Sequence, residues 1–153
     1  MMVSLFFQKK PDIETLRHQK DIPALIQSLR YNDFEVQTSA AQALGSLGTE
    51  GINELILALK DKDRDVRLGI IEALSVIRDQ RAVPPLIELL NDKSSEVRWE
   101  TAIALGEIGG PEITSPLKNA LRDPDKYVRY GAASALSKTG LNPVSDEIGR
   151  AHV

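Results

Sequence analysis

The chain has 153 residues, 42% of them hydrophobic and 27% charged, with a formal net charge of −3; that content can bury one substantial core, and a single domain is expected. The mild negative balance offers no general attraction for phosphate backbones or anionic membranes, which disfavours nucleic acid and membrane surfaces as partners. Cysteine is absent, so disulfides and thiolate metal sites are excluded, and no apolar run approaches the roughly 18 residues of a membrane span; the expected setting is the cytoplasm.

At the N-terminus, Val3-Ser4-Leu5-Phe6-Phe7 precedes its charges and is shorter than the apolar region of a secretory signal, so it reads as an apolar plug. Pro11-Asp12-Ile13-Glu14-Thr15-Leu16-Arg17 predicts one short helix, which would make residues 1–20 an N-terminal cap. A repeating pattern follows, with its register set by Val36, Val66, Val97 and Val128 at intervals of 30, 31 and 31 residues. Such periods signal a solenoid, in which each unit buries its apolar face only against its neighbours. Four helical hairpins are expected, at about 21–50, 51–81, 82–112 and 113–140, with 141–153 as a tail or partial cap.

The first helix of each unit carries Leu25/Leu29, Leu55/Leu59, Leu86/Leu90 or Leu117/Leu121, with Pro23, Pro84, Pro85 and Pro116 near the starts, where proline suits the first turn. Asp33, Asp63, Ser94 and Asp125 precede the valines by three residues and supply N-caps for the second helices. Beyond each valine, apolar or small residues fall at +4, +5, +7, +8 and +11, one face of a helix. Ala43, Ala73, Ala104 and Ala135 stand beside Leu44, Leu74, Leu105 and Leu136, so helices can approach closely while the larger side chain fills each layer. Glycine-bearing or polar turns separate the units, and the Gly45-to-Gly48 and Gly106-to-Gly109 segments read as helix terminators rather than phosphate loops.

The segments LKDKDRDVRLGIIEAL (from Leu59), LLNDKSSEVRWETAIALGEIG (from Leu89) and ALRDPDKYVRYGAASAL (from Ala120) resemble the PBS-lyase HEAT-like repeat family, the short HEAT-type repeats associated with phycobilin lyases. The resemblance runs from Asp21 to about Gly140 and implies an all-α, right-handed α–α superhelix of about four two-helix repeats plus the N-terminal capping helix. It also implies that the second helices line the concave face, where partners dock, and that Asp61/Arg67, Asp92/Arg98 and Asp123/Arg129 form a polar ladder. The residues agree with a ladder, since a carboxylate and a guanidinium across a tight turn can satisfy each other and the turn's backbone. In the first unit both partners are replaced together, by Tyr31 and Gln37. Whether each arginine pairs within its own repeat or with the next stays open.

Catalytic chemistry has little to work with here. Only His18 and His152 are present, the His-Glu dipeptides of di-iron HEAT-like hydroxylases are missing, and the aspartates are explained by capping or the ladder. No cofactor or metal is implied, and His18 reads as a surface residue. The informative surface is the second-helix stripe left free by the core, which brings Leu68, Glu72, Val76, Trp99, Glu100, Ile103, Glu107, Tyr130, Ser134 and Lys138 onto one wall. An aromatic and apolar row with an acidic margin suits an amphipathic or basic peptide. The expected function is therefore a non-catalytic interaction module or scaffold binding a partner protein or peptide on that wall. The alternative, which rests on the resemblance, is a bilin lyase-like or chaperone subunit holding a tetrapyrrole and its acceptor protein. A second copy of the chain is a further candidate partner, because the last unit has no obvious polar cap.

Overall fold

The structure is a computed structural model that describes residues 9–140; the apolar plug, the tail and His152 lie outside them. Among the described residues the regular structure is all helical: α1 (Ile13–His18), α2 (Ile22–Ser28), α3 (Phe34–Ser46), α4 (Ile52–Ala58), α5 (Arg64–Ile77), α6 (Val83–Leu89), α7 (Ser95–Ile108), α8 (Thr114–Ala120) and α9 (Lys126–Lys138). Short 3₁₀ turns, Gly48–Gly51, Gln80–Ala82 and Pro111–Ile113, lead from one hairpin into the next. No helix of the described residues is long and apolar enough to cross a membrane.

The capping column starts every long helix as anticipated. Asp33, Asp63 and Asp125 accept from backbone N–H groups of the first turn, and Ser94 accepts from Val97 N–H, so donors that the helix cannot satisfy internally find oxygen. Downstream, the alanine-leucine layers are sealed: Leu44, Leu74, Leu105 and Leu136 are fully buried, as are Leu25, Leu55, Leu86 and Leu117 from the short helices. Burying each such leucine contributes about 1.5–3 kcal/mol.

The second helices α3, α5, α7 and α9 pack directly on one another, whereas the short first helices meet only sparsely. Small residues on the inside and divergence on the outside curve the stack, with the second helices on the concave face. Two of the presumed terminators contribute to that close approach. Gly48 and Gly109 do end helices at positive φ (65° and 75°), but Gly45 and Gly106 lie inside α3 and α7. A Cβ on Gly106 would stand 2.7 Å from Ala135 Cβ and 2.8 Å from Ala135 Cα, and one on Gly45 would meet Val76 Cβ at 3.3 Å. The correction follows from the next unit, whose helix touches the glycine face.

The polar ladder runs between units. Arg67 Nε lies 2.9 Å from Asp92 Oδ2, and Arg98 Nε the same distance from Asp123 Oδ2. Each arginine turns its Nη1 back to its own turn: Arg67 donates to the carbonyls of Asp61 (2.9 Å) and Lys62 (3.1 Å), Arg98 to Asp92 (2.8 Å) and Arg129 to Asp123 (2.8 Å). The aspartates are shared likewise, since Asp92 and Asp123 each also accept from the backbone N–H two residues on, at 2.9 Å. In the first unit Arg30 takes the carboxylate of Asp61 (Nη1–Oδ1 2.8 Å), while Gln37 donates to the Leu29 carbonyl at 3.2 Å. The Arg30 hydrogen bonds hold the Asp61 carboxyl below the usual range. Burial alone would raise Asp123, but its bonds from Arg98 and the Asp125 N–H outweigh it and lower it as well. These rungs therefore stabilise the fold above the ordinary carboxylate range and lose that contribution as pH falls through the lowered values.

The rungs differ in burial, which yields a graded expectation. Arg67→Ala strands the buried Asp92 and is expected to cost about 3–5 kcal/mol; Arg98→Ala should cost less, and Arg129→Ala, on an exposed residue with only turn carbonyls, at most about 1 kcal/mol. Urea denaturation of the three variants checks the order. Gly106→Ala, which must push α9 off α7, is expected to cost about 1–3 kcal/mol by the same measurement.

Candidate functional site

The concave wall carries a groove of about 530 Å³ lined by α3, α5 and α7. Of the ten residues expected on the docking wall, it brings together Leu68, Glu72, Glu100 and Ile103. Leu68 is half-buried against the core and Ile103 lies beside it on the next unit, so the floor is apolar. Its rim comes from Phe34, Gln37, Thr38 and Arg64; Thr38 lies on the same second-helix stripe, whereas Phe34, Gln37 and Arg64 lie off it. Phe34 is 81% exposed. It occupies the column of Arg64, Ser95 and Lys126, and an aromatic among polar residues at the first position of a long helix is the signal that could have marked it.

Two of the four carboxylates lining the groove, Glu72 and Glu100, differ from the other acids described so far. Neither Glu72 nor Glu100 has an ion-pair or hydrogen-bond partner among the described residues. Burial raises the Glu72 carboxyl above its ordinary value; burial, then Glu96, then Glu72 raise that of Glu100. Glu96 itself is answered by Arg64 at 3.3 Å. The groove thus holds two carboxyl groups that keep a proton more readily than usual and have free hydrogen-bonding oxygens over an apolar floor.

The remaining wall residues fall outside the groove. Trp99 is packed between units, with its ring 6.1 Å from that of Tyr127 and its Cδ1 2.7 Å from where a Cβ on Gly131 would stand. The indole occupies the space left by a missing side chain on α9, and its buried Nε1 has no acceptor. Glu107 bridges Arg78, at 3.2 Å, and Lys138, which makes it an inter-unit contact instead of an acidic margin. Val76 and Tyr130 are exposed at 62% and 74%, and Ser134 is open to solvent below Tyr130. Among the described residues no three acidic or histidine side chains converge to hold a metal, and His18 stands on α1 with Nδ1 2.9 Å from the Glu14 carbonyl.

Comparison with known proteins places this geometry in a family. The HEAT-repeat family model matches residues 52–137, and the PBS lyase HEAT-like repeat matches residues 36–61. The bilin biosynthesis protein RpcF of Synechococcus sp. (strain WH8020) is 34% identical over 68 residues, which cover 44% of this chain and 32% of that protein. The complex of CpcE and CpcF of phycocyanin lyase from Nostoc sp. PCC7120 aligns with a TM-score of 0.64 at 25% identity, over 87% of this chain and 57% of that one. An engineered protein aligns over 90% of the chain with a TM-score of 0.58. The chain spans about a third of RpcF and little more than half of the lyase chain. These relatives overturn the expectation of a non-catalytic interaction module or scaffold: those with named activities belong to bilin biosynthesis and to a phycocyanin lyase. By its repeat pattern, its stacked hairpins and the match over more than half its length, the chain belongs to the HEAT-repeat family, with repeats of the PBS-lyase type.

Proposed function

We propose that this chain is a bilin lyase-type subunit that holds a linear tetrapyrrole in the concave groove and presents it to an acceptor protein, working beside a second helical-repeat chain. The observation that carries this reading is the 34% identity with RpcF; the pairing is suggested by the two-chain phycocyanin lyase.

The groove chemistry supports it. A linear tetrapyrrole is a long, flat, largely apolar conjugated body with pyrrole N–H donors along one edge and carboxylate-bearing side chains. Leu68, Ile103 and Phe34 offer apolar contact to the body, and Glu72 and Glu100 offer acceptors to the N–H edge. Carboxyl groups with raised pKa values can also stabilise a protonated pyrrole nitrogen, which makes the conjugated carbons more open to attack by a nucleophile of the acceptor. Trp99, committed to packing on α9, is left out of the contact.

Biliverdin titrated into the purified chain is expected to show a saturable visible-absorbance shift and an induced circular-dichroism band. Leu68→Glu and Ile103→Glu should each weaken the apparent affinity by about tenfold or more, roughly 1.4 kcal/mol. A spectrum unchanged by the protein, or equal binding by both variants, would sink the proposal.

The raised carboxyl groups give a second signature with an unambiguous sign. A carboxyl with a higher pKa in the native state binds its proton more tightly there, so native stability falls as pH rises above the ordinary carboxylate range. Glu72→Gln/Glu100→Gln is therefore expected to be more stable than the wild type at neutral pH and to converge with it near about pH 4, while binding biliverdin less tightly. Denaturation at both pH values, together with the titration, checks this pairing of gained stability with lost affinity, the pattern of side chains retained for a ligand.

A further inference from the structure

The outer face carries a second groove, which the pigment reading does not use. Because the first helices diverge there, an opening of about 700 Å³ lies between α4 and α6, with Leu57, Pro85 and Leu89 among its apolar walls. Leu57 is 72% exposed, a large apolar side chain on a surface that is otherwise mostly charged. The rim is basic. Lys60, Lys62 and Lys93 line the groove, and their ammonium groups have no ion pair or hydrogen bond among the described residues.

The other charges around this opening are already matched. Asp92 is held by Arg67, Asp61 by Arg30, and Arg81 by Asp79 at 2.7 Å. That leaves Glu88 alone against the three lysines. The neighbouring gap shows why this groove stays open. Between α2 and α4, Arg30 crosses to the next unit's aspartate, which is available because Gln37 stands where later units carry the ladder arginine. Lys60 is the equivalent of Arg30, but its counterpart, Asp92, is occupied by Arg67 from within the ladder.

We propose that the groove between α4 and α6 docks a short acidic amphipathic helical segment of a partner protein. The partner's apolar residues would lie on Leu57, Pro85 and Leu89, and its carboxylates on Lys60, Lys62 and Lys93. Each bounding helix has seven residues, about 10 Å of wall, enough for roughly two turns of a docked helix. Exposed apolar surface ringed by unmatched charge of one sign is the complement of such a segment, whose carboxylates steer the encounter while its apolar face supplies contact. This proposal stands independently of the tetrapyrrole reading, since it uses the opposite face and none of the concave residues.

The test uses the full chain and two synthetic helical peptides of about 14 residues, one with leucine on one face and glutamate on the other, its twin with lysine replacing glutamate. Backbone amide shifts in ¹⁵N-labelled protein and peptide fluorescence anisotropy are recorded. The acidic peptide is expected to shift the amides around Leu57, Lys60 and Lys93, and to bind at least about tenfold more weakly to Lys60→Glu/Lys93→Glu and to Leu57→Glu. These positions are exposed, so both variants should keep the wild-type circular dichroism and biliverdin titration. Equal binding of the lysine twin, shifts confined to the concave groove, or no binding at millimolar peptide would overturn the proposal. Self-association abolished by Leu57→Glu would overturn it too, by making the occupant a second copy, as would Leu57-dependent capture by anionic lipid vesicles.

Discussion

The bifurcated use of the ladder arginines Arg67 and Arg98 is the constraint on which the rest of the structure depends. One guanidinium nitrogen is fixed to the carbonyls of the turn inside its own hairpin, and the opposite edge is fixed to the aspartate of the following unit. A planar, multiply donating cation is suited to this in a way that a lysine is not, because the direction of each donor is set by the plane. Each unit is thereby placed at one height and angle relative to the next. Burial also makes the arrangement all-or-none, since an unpartnered charge at these depths is far more costly than a paired one is favourable.

From that placement the two faces follow. Alanines and glycines on the inner side let α7 and α9 approach until Gly106 touches Ala135, while the short helices on the outer side have no reason to meet. Curvature thus opens grooves on both faces, and the ladder decides which charges remain for them. Inside, Glu72 and Glu100 are left over; outside, Lys60, Lys62 and Lys93 are. A mildly acidic chain therefore presents two grooves of opposite sign, which its net charge alone does not disclose.

Much of this was legible from residue spacing. The capping aspartates, the alanine-leucine layers and the order of helices all depend on neighbours within one hairpin, where a period of 3.6 is read directly. What spacing could not supply was any contact between hairpins. Asp61 and Arg67 are six residues apart, yet the carboxylate that Arg67 grips is Asp92, 25 residues on. Trp99 aligned with Leu68 and Tyr130 as a surface row, yet Gly131 on the next unit leaves a hollow that the indole fills. Gly106 read as a terminator because the helix facing it was not in view. Phe34 and Arg64 were missed because a face counted from the valine leaves out the first residue of the helix, although that end of α3 and α5 forms the groove's rim. The activity class was misjudged for a different reason: an array with no clustered histidine or cysteine offers no catalytic signature, and sites on repeat folds are assembled from ordinary side chains across units.

In a stack whose stability is the sum of nearest-neighbour terms, a side chain outside the layers and the ladder contributes little to the fold and is free to be anything soluble. A serine at Glu100 or a glutamine at Glu72 would avoid both the desolvation and the mutual repulsion that raise those two carboxyl groups. Arg64 lies on the same rim, and it is directed to Glu96 and Asp65 instead, so a cation is within the groove and does not relieve them. Two acids held together over Leu68 and Ile103, with the nearest cation engaged elsewhere, make the inner groove poorer as a piece of fold than a neutral one would be. What it gains is a pair of acceptors facing an apolar floor, a combination that suits the flat, apolar, N–H-edged molecule proposed for it.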